Sequence, residues 1–241
     1  MMNYIDMHSH LLPGVDDGAR DLEMSMKMFK IAEENGIRQM ILTPHNKPAH
    51  HNVSPKKVES LIMSLQKELS RKGSKIQLYA GNELYYRSDI LEELEEKKAC
   101  TMAGSAYVLV EFNPADDYDY IRNGIYLMIA GGYRPILAHA ERYGSVCTKA
   151  GRVEDLIEMG CYIQVNAGSI MGQCGLFAKQ FTRGLLKQQL IHFVATDAHN
   201  PEKRGPYLGD CGKYISKKYG VSYAQKLLYE NPMHIINDEY I

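Results

Sequence analysis

The sequence predicts an α/β fold, a parallel sheet whose strands are joined by helical crossovers. Two observations predict it. Seven short apolar or β-branched runs, at residues 4–7, 39–43, 75–80, 107–112, 135–138, 162–165 and 192–196, alternate with segments of helical periodicity. The carboxyl end of almost every run carries His, Asp, Glu or Asn, the residue types that ligate divalent metals through nitrogen or oxygen. A chain of 241 residues suits one βα barrel. No Pro/Gly/Ser-rich linker, composition break or internal repeat divides it, so residues 1–241 are expected to form a single domain.

Taken in order, the first run leads into Asp6-Met7-His8-Ser9-His10-Leu11-Leu12-Pro13-Gly14-Val15-Asp16-Asp17-Gly18. In extended chain, positions i and i+2 face the same side, so His8 and His10 aim two imidazoles at one point. Asp6 is placed to brace a ring nitrogen from behind. Pro13-Gly14 turns the chain, and either Asp16 or Asp17 returns a carboxylate to the same region while the other caps a turn. A helix follows over 21–35, with Met24, Met28, Ile31 and Ala32 on one face and Gly36 as its stop.

The second run ends Thr43-Pro44-His45, and His50 and His51 lie in an exposed polar loop beyond it. A helix over 54–71 has Ser54 as N-cap, Pro55 at its first position and an apolar stripe of Val58, Leu61, Ile62, Leu65 and Leu69. The third run ends Gly81-Asn82-Glu83, with Tyr85 and Tyr86 packing after it. Residues 88–98 form a helix whose charge run, 92–98, is a solvated face. The fourth run ends in Glu111, before a helix over 118–130, and the fifth in His139, before a helix over 153–159. The sixth ends in Asn166, which reads as a hydrogen-bonding residue, and a helix over 175–189 follows. The seventh ends Asp197-Ala198-His199, a second i, i+2 pair, and helices over 222–229 and 232–237 close the chain. His192 opens the seventh run at its other end and reads as structural; His234 carries no assignment.

The polar positions 10, 45, 83, 111, 139, 166 and 197 step by 27 to 38 residues, about the length of a βαβ unit. All of them therefore land on one end of the sheet, where βα barrels build active sites.

Composition narrows the chemistry. Apolar residues make up 45% of the chain and formal charge is −1, so no global basic field recruits nucleic acid or anionic membrane. No secretory signal pattern and no membrane-spanning apolar run are found. The five cysteines are scattered and form no Cys-x-x-Cys, which reads as reduced thiols of a cytoplasmic protein. No Cys-x5-Arg loop, Gly-x-Ser-x-Gly elbow or Gly-rich phosphate cradle is present.

The candidate ligands are His8, His10, Asp17, His45, Glu83, Glu111, His139, Asp197 and His199. That is too many for one tetrahedral zinc ion and suits a cluster of two or three ions bridged by carboxylates. Imidazole and carboxylate without thiolate favour manganese, iron or zinc. Three divalent ions against the carboxylates of Asp17, Glu83, Glu111 and Asp197 leave a charge of roughly plus two. Arg142 follows His139 closely and Arg204 follows His199. Such a site attracts a compact dianion, a phosphate monoester above all. A metal-bridging water that ionises near neutral pH would attack phosphorus in line, with metals and arginines stabilising the transferring oxygens.

The ordered set Asp6-x-His8-Ser9-His10 with Asp16-Asp17-Gly18, Thr43-Pro44-His45, Gly81-x-Glu83, Glu111-Phe112, His139-Ala140-Glu141-Arg142, Asn166-Ala167-Gly168-Ser169 and Asp197-Ala198-His199-Asn200 resembles the polymerase-and-histidinol-phosphatase (PHP) superfamily. Within it, the chain most resembles the bacterial capsule and exopolysaccharide tyrosine phosphatases of the CpsB/YwqE type, over nearly its whole length. The resemblance implies a distorted seven-stranded (βα) barrel, TIM-like and of the PHP type, with a trinuclear site that usually holds manganese (Mn2+). It implies hydrolysis of phosphotyrosine on the Tyr-rich tail of a membrane-linked bacterial tyrosine kinase that controls polysaccharide export. It assigns His8, His10, Glu83 and Asp197 to one metal, Glu83, Glu111 and His139 to a second, and Asp17, His45 and His199 to a third, with Arg142 and Arg204 binding phosphate. Similar proteins often self-associate, which implies a homo-oligomer. The chain departs from the pattern in two places. Ala140 stands where Pro is usual, relaxing the backbone before Arg142. The loop after His45 reads Asn46-Lys47-Pro48 where a second histidine and an asparagine are common, which bears on substrate choice.

Overall fold

The computed structural model describes residues 3–48 and 52–241; His50 and His51 lie outside them. The strands are β1 (Tyr4–Ser9), β2 (Ile37–Leu42), β3 (His45–Asn46), β4 (Gln77–Ala80), β5 (Glu83–Tyr85), β6 (Tyr107–Glu111), β7 (Arg134–Leu137), β8 (Tyr162–Asn166) and β9 (Phe193–Ala195). The first helices are α1 (Leu22–Glu34), α2 (Pro55–Arg71), α3 (Ile90–Glu95) and α4 (Tyr118–Ala130). They are followed by α5 (Gly144–Cys147), α6 (Arg152–Glu158), α7 (Ala167–Met171), α8 (Leu176–Gln188), α9 (Gly209–Tyr219), α10 (Val221–Gln225) and α11 (Asn231–Asn237).

Every pairing between these strands is parallel, as the crossovers require. The described strands form a three-stranded sheet, β1-β2-β4, and a six-stranded one, β3-β5-β6-β7-β8-β9, a curled half-barrel. The expected count of seven is divided differently because two runs are interrupted. Pro44 has no N–H to continue the ladder after β2. Gly81 breaks the third run, at a point where a Cβ would lie 3.0 Å from Ile41 and from Met102. Asn82 mends both breaks, donating to Pro44 O at 2.8 Å and accepting from Cys100 N at 2.7 Å. The chain then resumes as β3 and β5, which pair with His45 beside Glu83.

The last strand returns to the first. His10 N donates to Ala198 O and Asp197 N to His8 O, both at 2.9 Å. Asp6, fully buried, accepts from Thr196 N at 3.0 Å and from the Thr196 hydroxyl. Its carboxylate thus ties the seventh run to the first and braces no ring nitrogen, contrary to expectation. Burial nevertheless pushes the Asp6 carboxyl up to about 6 against those hydrogen bonds.

Side chains alternate as strands require. Val108 and Val110 join the large cluster beneath the helices, whereas Tyr107 and Leu109 join a second cluster with Met7, Ile41, Ile136 and Phe193. That cluster links non-neighbouring strands, so it fills their concave side, with Met102 and Ile235 added to it. Glu111 and Asp197 continue the inward register of Leu109 and Ala195, which sets them above this apolar floor.

The helices largely follow the sequence pattern, and the differences have local causes. In α1 Asp21 caps Met24 N at 2.8 Å, and the buried face is Ser25, Met28, Phe29 and Ala32, rotated from the expected stripe. Ser54 precedes α2 without a side-chain cap. Helix α9 has no counterpart among the expected elements, because Gly209-Asp210-Cys211-Gly212 is poor helix sequence. Its glycines are needed for close packing: a Cβ on Gly212 would lie 2.5 Å from the Tyr4 hydroxyl oxygen.

His192 is structural, as expected. Its Nδ1 accepts from Ile163 N at 3.1 Å, and its own carbonyl accepts from Asn231 at 2.7 Å. Burial, helped by the Lys226 charge, pushes its imidazole down to about 4. A neutral buried imidazole stabilises the fold above the unfolded value of about 6.5 and loses that contribution as pH falls from there through its folded value. We expect His192→Asn, which retains an acceptor without a titrating ring, to show a smaller fall in melting temperature than the parent between about pH 7 and pH 5. The difference is worth up to about 2 kcal/mol, and a variant losing as much as the parent would exclude His192 as the cause.

Candidate metal centre

The site is assembled from strand ends. His8 and His10 leave β1 with their Nε2 atoms 3.3 Å apart. Both face Glu83 Oε2, at 3.4 and 3.3 Å, and Asp197 Oδ1, at 3.6 and 3.5 Å. His45 Nδ1 lies 2.9 Å from Glu83 Oε2 and 3.2 Å from Glu111 Oε1. His139 Nε2 lies 2.7 Å from Glu83 Oε1. Asp17 Oδ1 stands between His45 Nε2, at 3.2 Å, and His199 Nε2, at 3.4 Å. All nine candidate ligands therefore meet, with Glu83 at the centre and almost entirely buried.

The turn after His10 separates the two neighbouring aspartates. A Cβ on Gly18 would lie 2.1 Å from His10 O, so only glycine permits this close return. Asp16 is held by Gly18 N at 2.9 Å and His45 N at 3.1 Å, and it accepts from His10 Nδ1 at 2.7 Å. It orients the His10 ring, while Asp17 points its carboxylate at His45 and His199. His8 is oriented by Gln164 Oε1, 3.2 Å from its Nδ1, and the same oxygen accepts from His139 N at 2.7 Å. Gln164 in turn donates to Asn166, and Asn166 to Asp197, each at 2.9 Å. Gln164 was not among the expected site residues. Its signal was a lone polar side chain inside the apolar run 162–165.

His139 and Asp197 adopt positive φ angles of 34° and 52°. Such backbone costs a non-glycine residue of order 1–3 kcal/mol and persists where surrounding contacts demand it. Here it turns both side chains off their strand ends into the cluster. From His139 a short helical turn carries Arg142 round, and despite Ala140 its guanidinium reaches Asp197 Oδ2. Arg204 donates to the same oxygen at 2.9 Å. Its loop is closed by His199 N on Arg204 O at 2.7 Å and by Asn200 Oδ1, which accepts from Lys203 N and Arg204 N at 2.8 and 3.0 Å. The arginines open onto a cavity of about 370 Å³ lined also by Asn166, Gln173 and Tyr207. A larger groove of about 1050 Å³ along α1 touches none of the candidate ligands.

The electrostatics are those of a cation site. Burial lowers the proton affinity of His10, but Asp16 and Glu83 outweigh it and push its pKa up to about 9. The same contest at His45, with Asp17, Glu111 and Glu83 opposing burial, ends at about 12. Burial would raise Glu83 and Asp197, yet neighbouring imidazoles, with Arg142 beside Asp197, hold both well below the usual carboxylate range. His199 and His45 hold Asp17 low as well. This negative field attracts divalent cations, whose binding displaces the imidazole protons.

The decisive detail is orphaned donors. His45 Nδ1, Glu83 Oε2 and Glu111 Oε1 are buried and lack a hydrogen-bond partner of acceptable geometry, although His45 Nδ1 lies 2.9 Å from the Glu83 oxygen and 3.2 Å from the Glu111 oxygen. They converge on a common point instead of on each other, as ligands do. Three groups have their ligand-type atoms within 4.8 Å of one another: His10, Asp17, His45 and His199; His8, His10 and Asp197; and His45, Glu83 and Glu111. The nitrogen and oxygen donors fit divalent ions such as manganese, iron or zinc.

Residues 4–237 match the family model described as "Capsular polysaccharide synthesis, CpsB/CapC". The chain belongs to the CpsB/CapC family. It is 33% identical to the tyrosine-protein phosphatase CpsB of Streptococcus pneumoniae over 98% of this chain and 100% of that one. It is 31% identical to the tyrosine-protein phosphatase YwqE of Bacillus subtilis, over 98% and 93% of the two chains. One solved chain, described as "Crystal structures of YwqE from Bacillus subtilis and CpsB from Streptococcus pneumoniae, unique metal-dependent tyrosine phosphatases", superposes with a TM-score of 0.92 at 30% identity, covering 98% of this chain and 96% of that one. One residue of the loop after His45 also reaches the cluster: Lys47 stands at its edge, its ammonium 2.7 Å from Glu111 Oε1.

Proposed function

We propose that this protein is a metal-dependent protein-tyrosine phosphatase that hydrolyses phosphotyrosine, on a bacterial tyrosine kinase with a Tyr-rich tail that controls capsule or exopolysaccharide synthesis. The observation that carries the reading is the convergence of orphaned His45, Glu83 and Glu111 donors beside a two-arginine grip on Asp197. Its relatives, named tyrosine-protein phosphatases, support the substrate class.

In this reading His8, His10, Glu83 and Asp197 hold one ion, Glu83, Glu111 and His139 a second, and Asp17, His45 and His199 a third, with manganese the metal we favour. When bound, such ions acidify a water nucleophile and draw charge from the phosphoryl oxygens. The protein's own groups do the rest. Asp16 and Gln164 fix the ring orientations of His10 and His8. Arg142 and Arg204 exchange their shared contact with Asp197 for the oxygens of the substrate phosphate, and their planar forks match it. The buried floor of Leu109, Ile136 and Phe193 keeps water away from the cluster's underside.

We read β2 with β3 and β4 with β5 as interrupted strands of a seven-stranded βα barrel of the PHP type, in one domain over residues 1–241. The five cysteines are free thiols, which supports a cytoplasmic site of action. Among the described residues no helix is long and apolar enough to cross a membrane. Self-association into a homo-oligomer belongs to the same reading, by analogy with similar proteins.

The experiment compares initial rates, with manganese, on a phosphotyrosine peptide, histidinol phosphate and single-stranded DNA. We expect kcat/KM to favour the peptide. A large preference for histidinol phosphate would make the protein a small-molecule phosphatase with the same metals, and inactivity of metal-loaded protein on every phosphoester would favour a phosphoprotein-binding module.

A further inference from the structure

We propose that Lys47 is a third substrate-binding cation, which holds the phosphate from the Glu111 side of the site while Arg142 and Arg204 hold it from the Asp197 side. The inference rests on the phosphatase reading above and goes beyond it in naming a residue that the site motifs do not contain.

The Lys47 ammonium lies 2.7 Å from Glu111 Oε1 and 3.3 Å from His45 Nε2, and only 25% of its side chain is exposed. Hydrogen bonds hold the residues on either side of it in place. Lys47 N donates to Asn52 Oδ1 at 2.9 Å, and Asn46 Oδ1 accepts from Arg87 at 3.0 Å and from Asn52 at 3.3 Å. The ammonium is therefore carried at the cluster's edge by an anchored backbone.

Contacts run from Lys47 to Glu111, through His45 and Glu83 to His8 and His10, then to Asp197 and the arginines. Cationic side chains thus stand at both ends of the carboxylate and imidazole array. The Lys47–Glu111 contact is an ion pair without hydrogen-bond geometry, since Glu111 Oε1 has no such partner. Once the Glu111 carboxylate is committed to a divalent ion, the ammonium faces cations and needs a new anion. A dianionic phosphate monoester resting on the cluster supplies it, and a charge-assisted hydrogen bond of this kind changes affinity roughly ten- to hundred-fold.

The test uses the full chain loaded with manganese, inorganic phosphate as the probe, and the Lys47→Met and Lys47→Arg variants. Bound metal is counted by elemental analysis and phosphate affinity is measured by calorimetry. We expect Lys47→Met to keep its metal, to bind phosphate about ten- to hundred-fold more weakly, and to raise KM for a phosphotyrosine peptide more than it lowers kcat. Lys47→Arg should recover most of the affinity. Parental phosphate affinity in Lys47→Met would limit the ammonium to neutralising Glu111, and loss of metal would make Lys47 part of the ion site; either result overturns the proposal. A parent protein that holds metal and binds no phosphate would overturn the phosphatase reading itself.

Discussion

Glu83→Ala lowers phosphotyrosine hydrolysis by roughly a thousand-fold and reduces the metal bound at saturation. The expectation follows from the position of this one carboxylate. Its Oε2 faces His8, His10 and His45, and its Oε1 faces His139, all between 2.7 and 3.4 Å. It is also the residue common to two of the proposed ion sites. Removing it deletes the carboxylate that would serve both ions and leaves imidazoles that have lost the charge drawing them together. Glu83→Gln is the sharper variant, because it keeps the shape and removes only the charge. Metal content and activity should fall together in both. Retained activity in Glu83→Gln at full metal content would remove Glu83 from the proposed ion sites.

Arg142→Ala and Arg204→Ala each lower kcat/KM by about a hundred-fold while metal content is held. Both guanidiniums contact the same oxygen of Asp197, so the double variant should lose less than the product of the two single losses. Removing either cation leaves Asp197 more negative, and metal binding is expected to hold or tighten. That sign separates a substrate role from a structural one, since a collapsed site would lose metal as well. Lysine at either position should recover little, because a point charge cannot offer phosphate oxygens the planar fork of a guanidinium. Steady-state kinetics with elemental analysis on the same samples checks each part.

Much of this arrangement was legible in the sequence because strand ends are marked by two independent signals. An apolar run stops, and a ligand-type residue follows at a spacing set by the βαβ unit. His45, Glu83, Glu111, His139 and Asp197 were all placed in this way. What escaped was governed by tertiary fit. Gly209 and Gly212 read as helix breakers, yet they lie in α9, where Gly212 packs against Tyr4 with no room for a Cβ and Gly209 packs closely on Asn35. The division of two runs at Pro44 and Gly81 follows from a missing donor and a crowded backbone, which periodicity does not register. Asp16 and Asp17 have the same chemistry, and only the Gly18 turn assigns one to a ring nitrogen and the other to the cluster. Asp6 looked like a brace for a histidine, but its carboxylate joins the first strand to Thr196 across 190 residues. Gln164 and Lys47 acquire meaning only when distant strands and loops are brought side by side.

The most direct measurement titrates metal-free protein with manganese, following bound ions and hydrolysis of a phosphotyrosine peptide in the same samples. Activity is predicted to appear only as ions fill the cluster, to vanish on chelation and to return when the metal is restored. Undiminished hydrolysis by protein shown to contain no metal would contradict the account.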